Sequence, residues 1–463
     1  MDTITKAIAK FKGGVKVPHN KNTAEYESVF MEPPKIVTIP MQQHIGGVCT
    51  PTVKKGDTVT VGQVIGDSEA FVSAPIHASV SGKVKGIKPI LMANGQMCEA
   101  IHIASDGLPV EFPEPTQIKI NSKEDLLKAA RDSGIVGIGG AGFPLHVKLN
   151  VKEDTPIDTL VINGAECEPF ITSDYRESLE YPERIIAGMQ ALMTYLNIPH
   201  GVIGIESNKP KGLKKLREHL NELADLDPRI DVMEIPSLYP QGAEKMLVYA
   251  TTGRKIPPGK LPSEVGCLIT NISTVSLLQR YIEIGMPLTH KRITVDGNVA
   301  QPKNVVVPVG TPIGEVIKFC GGLIDEPSKI ILGGPMMGMA QFSTELPITK
   351  QTNAITILSA EQSLPEESPC IRCGRCVEAC PMSLLPVQIE RCTRNNDVAG
   401  LKNLNVSACM ECGCCAFVCP AGRRLVQSMK RAKQLEREAA QLTNYLYPSR
   451  RTFTVDAVVA VLC

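Results

Sequence analysis

The stretch GIVGIGGAGFPLHVKLN, residues 134–150, decides how the middle of the chain is read. Gly137, Gly139 and Gly142 fit G-x-G-x-x-G, a spacing that invites a dinucleotide-binding turn. Such a turn needs a strand before it and a helix after it. Here the preceding segment, SKEDLLKAARDSG from Ser122, reads as a helix, with a serine cap and an apolar face of Leu126, Leu127 and Ala130. Pro144 stands where a following helix interior would run. The fingerprint fails in its context, so the glycines must serve differently. Gly137, Gly139, Gly140 and Gly142 let backbone approach a flat or anionic ligand, and N–H groups in such a turn form an anion-binding concavity. Lys148 is spaced to meet a phosphate and Phe143 to stack on a ring. The competing reading is a plain tight turn, a solvated lysine and a core phenylalanine.

Downstream, strands and helices alternate. TLVIN (159–163), GVIGI (201–205) and IDVMEI (230–235) read as strands. PERIIAGMQALMTYL (182–196), with proline near its start, and KGLKKLREHLNEL (211–223) read as helices between them. That order implies a parallel sheet, and ligands of such sheets sit beyond the carboxyl ends of the strands. The first strand ends at Asn163 and runs into GAECEP, so Glu166 and Glu168 are expected near a ligand.

The late cysteines carry the strongest signal. CIRCGRCVEACP holds Cys370, Cys373, Cys376 and Cys380; CMECGCCAFVCP holds Cys409, Cys412, Cys415 and Cys419. Each is C-x2-C-x2-C-x3-C-P, the spacing of two-cluster ferredoxins, in which three thiolates of one loop and the fourth cysteine of the other hold each cubane. The expected sets are Cys370, Cys373, Cys376 with Cys419, and Cys409, Cys412, Cys415 with Cys380. Zinc also takes four thiolates, but two full copies with proline favour two [4Fe–4S] clusters. Cys414 breaks the rhythm and reads as a spare thiol, while Cys49, Cys98, Cys167, Cys267, Cys320 and Cys392 read as packed ones. Most of the 16 cysteines lie in this region, which points to metal in a reducing compartment rather than to disulfides.

Bulk composition narrows the class. The 463 residues are 43% hydrophobic, enough for roughly two to four domains. Forty-nine basic residues against 48 acidic ones leave a net charge of +1, and aromatics are 4%, so neither the field nor the stacking surface for nucleic acid is expected. The first residues lack a signal-peptide pattern, and no apolar run reaches the roughly 18 residues of a membrane span. The expectation is a soluble, cytoplasmic chain able to sit on a membrane complex.

Residues 53–66 and 73–87 resemble the two halves of a biotinyl/lipoyl-like barrel-sandwich domain. The turn SAPIHASVSG has no lysine to modify, so no carrier role is expected, and His44 and His77 read as hydrogen-bonded structural histidines. Residues 289–325 read as a small β-rich domain. RRLVQSMKRAKQLEREAAQLTNYL reads as an amphipathic helix with a stripe of Leu425, Met429, Ala432, Leu435, Ala439 and Leu442. Its basic side suits a membrane surface, an acidic partner or simple solvation, and Arg423 and Arg424 suit an acidic ferredoxin.

Over nearly its whole length the sequence resembles the C subunit of the Rnf/Rsx electron-transport complex, and its middle resembles the flavin-bearing subunit of respiratory complex I. The resemblance rests on Gly137, Gly139 to Gly142, Phe143, Pro144 and Lys148; on Asn163 to Pro169; and on YPQGAEKM with Gly242 and Glu244, then Arg254, Lys255, Asn271 and Thr274. Ala165, Cys167 and Ala243 depart from the complex I pattern. The resemblance implies that the glycine loop and Lys148 hold the phosphate of non-covalent FMN and that Asn163 binds the flavin. Phe143 would border the NAD(H) site, Glu166 and Glu168 would line the cleft, and Glu244, Asn271 and Thr274 would lie near the flavin.

The expected architecture is multidomain α/β. It comprises a β-rich barrel-sandwich domain (1–115), a Rossmann-like FMN/NAD domain (116–285), a ubiquitin-like SLBB domain (286–345), a helical two-cluster ferredoxin-like domain (346–445) and a tail (446–463). The resemblance implies a peripheral subunit on the cytoplasmic side of the membrane. It would pass electrons among NAD(H), FMN and the clusters, with ferredoxin and other Rnf-type subunits as partners and Na+ or H+ translocation as the coupled work. The competing readings are a flavin-free iron–sulfur relay or scaffold, and a soluble NADH-dependent flavin/iron–sulfur reductase subunit.

Overall fold

The computed structural model describes residues 5–107, 116–140, 142–151, 155–222, 229–362 and 365–446, with side chains described to 441. The expected tail lies outside the described residues, as does the side chain of Leu442.

A four-stranded sheet and a three-stranded sheet build the N-terminal barrel. Its long hairpin pairs Gly82–Leu91 with Met97–Ser105, and Ile36–Pro40 joins the outer edge. Val37, Ile39, Ile65, Ile76, Ile101 and Ile103 alternate inward to make its core. His44 is buried and held by hydrogen bonds, its Nε2 accepting from Ala74 N at 3.1 Å, as expected of a structural histidine.

The middle unit is a parallel sheet in the spatial order Ile230–Ile235, His200–Glu206, Thr159–Gly164, Cys267–Asn271. Each strand reads apolar on both faces because helices cover both. Helices Pro182–Tyr195, Pro210–Glu222 and Ile272–Ile284 bury Ile185, Met189, Leu192, Leu216, Val275 and Leu278 against Leu160, Ile162 and Ile203. Each such side chain contributes about 1.5–3 kcal/mol. Helix Lys123–Asp132 starts where expected, with Ser122 Oγ accepting from Asp125 N at 3.1 Å.

The third unit is a six-stranded sheet. It contains His290–Gly297 and Lys303–Pro308, as expected, but also Ala354–Leu358, which pairs with His290–Gly297 and Lys329–Leu332. The expected boundary at 345/346 therefore falls inside this sheet. AITIL is a short apolar run whose partners lie 23 to 60 residues upstream, and local pattern cannot show such pairing. Val29–Phe30 adds a further strand from the N-terminal region.

The last unit packs helix Leu425–Leu446 on helix Pro386–Arg394, with Leu425, Met429, Ala432 and Leu435 inward. Much of its basic side is paired within the chain: Lys433 meets Glu411 at 2.8 Å and Arg431 meets Glu438 at 3.2 Å. No helix among the described residues is long and apolar enough to cross a membrane.

Candidate functional site

The sheet order reverses direction between Thr159–Gly164 and Cys267–Asn271. A crevice opens beyond the carboxyl ends of strands at such a reversal. Asn163 and Asn271 are register partners there, and three chain segments gather around them.

The first is the glycine loop. Val136 bridges Pro144, and Gly137 N–H donates to Phe143 O at 2.8 Å, so the loop closes as a hairpin rather than a strand-to-helix turn. Gly139 and Gly142 stand at φ +72° and +69°, conformations that a side chain would strain. A Cβ at Gly140 would meet no atom within 4 Å, leaving its backbone open to a ligand. Ile138 N–H donates to Thr274 Oγ1 at 3.4 Å, and Asn271 Oδ1 caps the same helix by accepting from Thr274 N at 3.1 Å. Asn271 and Thr274 thus fix where the loop sits. Phe143 is 37% exposed rather than part of the core.

The second segment is 239–244. Asn163 Nδ2 donates to Gly242 O at 2.8 Å, and Lys148 Nζ meets Glu244 Oε1 at 2.7 Å. Lys148 follows the glycine loop on the short helix Leu145–Leu149, and Glu244 begins helix Glu244–Thr252, whose N-cap residue, Ala243, offers no side-chain acceptor. A cation and a helix head without a side-chain cap together favour an anion.

The third segment, 163–171, departs from expectation. Glu166 caps helix Ser173–Glu180, its carboxylate accepting from Asp174 N at 2.6 Å and Tyr175 N at 3.2 Å. Glu168 accepts from Met336 N at 3.0 Å and Met337 N at 2.8 Å. Both carboxylates fasten the segment to its neighbours instead of lining the cleft. Unsatisfied N–H groups at a helix start and at the 333–338 turn attract them more strongly than water does. Burial pushes both carboxyls up to about 7; Lys21 and Lys209 oppose this at Glu166, and the two backbone N–H groups oppose it at Glu168.

Two lysines that the sequence did not flag clamp the same backbone. Lys21 Nζ donates to Glu166 O and Glu168 O, each at 3.0 Å, and burial with the charge of Lys209 pulls it down to about 8. Lys209, fully buried, donates to Ala165 O and pairs with Glu206 at 2.8 Å. Lys209 lies just past the second strand, at the sheet end where functional groups gather, and that position was the available signal. Lys21 lies far upstream in a patternless stretch and gave none.

The cysteines fall into two neighbourhoods. Cys380, Cys409, Cys412, Cys414 and Cys415 line one cavity. Backbone N–H groups of Leu384 and Glu411 donate to the sulfurs of Cys380 and Cys409 at 3.3 and 3.4 Å, bonds that favour thiolate and tune a cluster. A hydrogen bond from the Cys414 thiol pulls Cys412 down to about 7. Five sulfur donors around one cavity supply the soft ligand chemistry that an iron–sulfur cluster takes. Cys376 is buried beside Cys370 and Cys419, while Cys370 and Cys373 are exposed. Arg423, expected to greet a partner, is only 11% exposed and bound to Glu367 and Glu390.

The cavity abuts the crevice. Tyr239 Oη donates to Cys412 O at 2.6 Å, and Gly242 N–H donates to Cys167 Sγ at 3.4 Å. Tyr239, Cys412 and Cys414 share one apolar cluster, with Cys167 and Met336 against it. Cavity size does not mark this place. A groove of about 460 Å³ lies elsewhere, between segment 117–121 and helices 182–195 and 272–284, and no expected site residue lines it.

Family models match four consecutive segments: an RnfC barrel sandwich hybrid domain over 9–108, a Nuo51 FMN-binding domain over 130–280, an SLBB domain over 292–340 and a 4Fe-4S dicluster domain over 369–423. The chain is 42% identical over 386 residues to the C subunit of the proton-translocating ferredoxin:NAD(+) oxidoreductase complex of Clostridium ljungdahlii, covering 82% of this chain and 83% of that one. It is 41% identical over 432 residues to the C subunit of the Na(+)-translocating complex of Acetobacterium woodii, covering 92% and 96%. It is 38% identical over 430 residues to the C subunit of the ion-translocating oxidoreductase complex of Rhodobacter capsulatus, covering 91% and 82%.

Proposed function

The chain belongs to the family of C subunits of ion-translocating ferredoxin:NAD(+) oxidoreductase complexes, and from that membership we propose that it is the subunit where NAD(H) chemistry meets single-electron transfer. In this reading it binds FMN, NAD(H) and two [4Fe–4S] clusters and works at the cytoplasmic side of the membrane. Partner subunits couple the electron flow to movement of Na+ or H+.

FMN, when bound, supplies the conversion between hydride and single-electron chemistry. The chain's own residues bind and orient. Open backbone at Gly140, left-handed turns at Gly139 and Gly142, Lys148 and the uncapped head of helix 244–252 suit the phosphate. Asn163 and the backbone after it suit the flavin ring, and exposed Phe143 suits the rim of the NAD(H) site. Asn271, Thr274, Glu166 and Glu168 hold these pieces in place from behind. Cys370, Cys373, Cys376 and Cys419 hold one cluster; Cys380, Cys409, Cys412 and Cys415 hold the other. No side chain is needed as acid or base.

The observation that carries this reading is the shared wall: Tyr239, from the segment beside Asn163, donates to the Cys412 carbonyl. A flavin beside Asn163 and a cubane at Cys412 would then be separated by little more than that wall. The test is flavin and iron analysis of anaerobically purified protein, followed by electron paramagnetic resonance after NADH addition. Stoichiometric FMN and NADH-dependent cluster signals are expected. Protein that carries iron but no FMN would reduce the reading to a passive relay.

A further inference from the structure

The two cysteine loops are local copies of one another. In CIRCGRC and CMECGCC, Arg372 and Glu411 both adopt left-handed backbone, φ 55° and 58°, and each precedes a cysteine and a glycine, Gly374 or Gly413, at φ 80° or 85°. Their surroundings differ sharply. The second loop is covered by this chain. A Cβ at Gly413 would lie 2.9 Å from Met336 O, Tyr239 donates to Cys412 O, Cys414 is fully buried and Glu411 is paired with Lys433. The first loop is bare. A Cβ at Gly374 would meet nothing within 4 Å, and Ile371 is 68% exposed. Cys370 and Cys373 are exposed, as are Arg372 and Arg375, which make no ion pair among the described residues. Phe417, 48% exposed, lies two residues before Cys419 and belongs to the same neighbourhood in sequence.

We propose that the bare loop around Cys373 is the docking face for an acidic iron–sulfur electron-carrier protein, and so the port by which electrons enter or leave this chain. The inference deepens the proposed function and rests on its assignment of a cluster to Cys370, Cys373, Cys376 and Cys419. The covered copy shows how such a loop is used inside the chain: Met336, backbone and side chain, close against the glycine, and a lysine opposite Glu411. In the bare copy the charge is reversed. Arg372 stands where Glu411 does, and Arg375 flanks Cys373 on the other side, so the matching surface carries carboxylates. Glu378 is the only carboxylate from 370 to 380. Ile371 and Phe417 supply the apolar contact that excludes water near the thiolates. One electron passes between the cubane at this loop and the partner's iron–sulfur centre; one is oxidised as the other is reduced, and no bond forms and no proton moves.

The test uses the full-length, cluster-loaded chain, immobilised under anaerobic conditions. The probes are an acidic ferredoxin with two [4Fe–4S] clusters and a basic carrier, cytochrome c. Arg372→Glu with Arg375→Glu should weaken ferredoxin binding about tenfold at low ionic strength, flatten its salt dependence and strengthen cytochrome c binding. Lys54→Glu with Lys55→Glu, exposed on the barrel, should change ferredoxin binding less than about twofold. Undiminished ferredoxin binding by the arginine variant overturns the proposal, as does an equal loss in the barrel variant or no binding by the unaltered chain at low salt. Flavin and iron content and NADH-dependent reduction of ferricyanide are measured on the same samples. Their absence would count against the proposed function, while the binding comparison still judges the docking face.

Discussion

Lys148 Nζ stands 2.7 Å from Glu244 Oε1, tying the helix after the glycine loop to the head of helix 244–252 across 96 residues of sequence. Both side chains are substantially exposed, at 29% and 47%, so the pair adds no more than about 1 kcal/mol to stability. In the proposed site its value lies in presenting a cation to the FMN phosphate. Lys148→Ala should leave the melting temperature nearly unchanged and weaken FMN binding. The expected loss is about tenfold to a hundredfold, from the 1.5–3 kcal/mol of a hydrogen bond to a charged group. Glu244→Gln should leave the affinity unchanged or raise it, because it frees the ammonium group. Flavin fluorescence titration of the stripped protein reads both.

Cysteine replacement separates ligands from the spare thiol. Cys415→Ala and Cys380→Ala should each cut iron from about eight to about four atoms per chain and remove the same paramagnetic signal, because the proposed function assigns the two sulfurs to one cubane. Cys414→Ala should keep full iron. Loss of iron in Cys414→Ala with retention in Cys415→Ala would reverse the assignment.

Tyr239→Phe removes only the hydroxyl that donates to the Cys412 carbonyl. Stability should fall by about 1 kcal/mol, the usual worth of a buried hydrogen bond. Reduction of the Cys412 cluster by NADH, followed by rapid-freeze spectroscopy, should slow while flavin reduction keeps its rate.

Glu168 sets a pH dependence. Burial raises its carboxyl from the usual 4.5 to about 7, so the folded chain holds the proton more tightly than the unfolded one. Its contribution to stability is fully present below 4.5, declines as pH rises and is gone above about 7. Glu168→Gln should lower stability through the lost acceptor yet flatten the decline between pH 5 and 7, by on the order of 2 kcal/mol. Chemical denaturation at several pH values measures the slope.

Lys209→Met leaves Glu206 charged and buried without its partner, at a cost of about 3–5 kcal/mol. Pairing it with Glu206→Leu should recover most of that loss. Denaturant midpoints of the two variants give the comparison.

Much of this was legible in the sequence because the signals were local. The glycine loop failed its own context test, since the helix from Ser122 leads into it, and the structure closes it as a hairpin. Thr159–Gly164, His200–Glu206 and Ile230–Ile235 announced themselves as apolar runs between helices. Both C-x2-C-x2-C-x3-C-P copies could be read from spacing alone. What escaped was made at a distance. Strand Cys267–Asn271 is short and holds a cysteine, a threonine and an asparagine, and it becomes a strand by pairing with residues more than a hundred positions earlier. Glu166 and Glu168 were correctly placed after the first strand, but their acceptors went to backbone N–H groups that belong to other segments. Tyr239 was visible in YPQGAEKM, yet nothing nearby in the sequence showed that it reaches Cys412.

Lys350 gives the modular look of the chain a different meaning. Its ammonium group is buried, burial pulls it down to about 7, and it donates to Pro75 O at 2.6 Å and to Gly134 O at 2.7 Å. A residue near the end of the third unit therefore fastens the first unit to the entry of the glycine loop. Lys21, from the N-terminal region, fastens the segment after the first sheet strand by donating to Glu166 O, Glu168 O and Ile171 O. An excised fragment of residues 116–285 would keep its sheet but lose both rivets, and with them the set of the two segments between which a flavin would sit. The proposed nucleotide site is therefore a property of the assembled chain, held from both flanks of its sheet and not by the middle part alone.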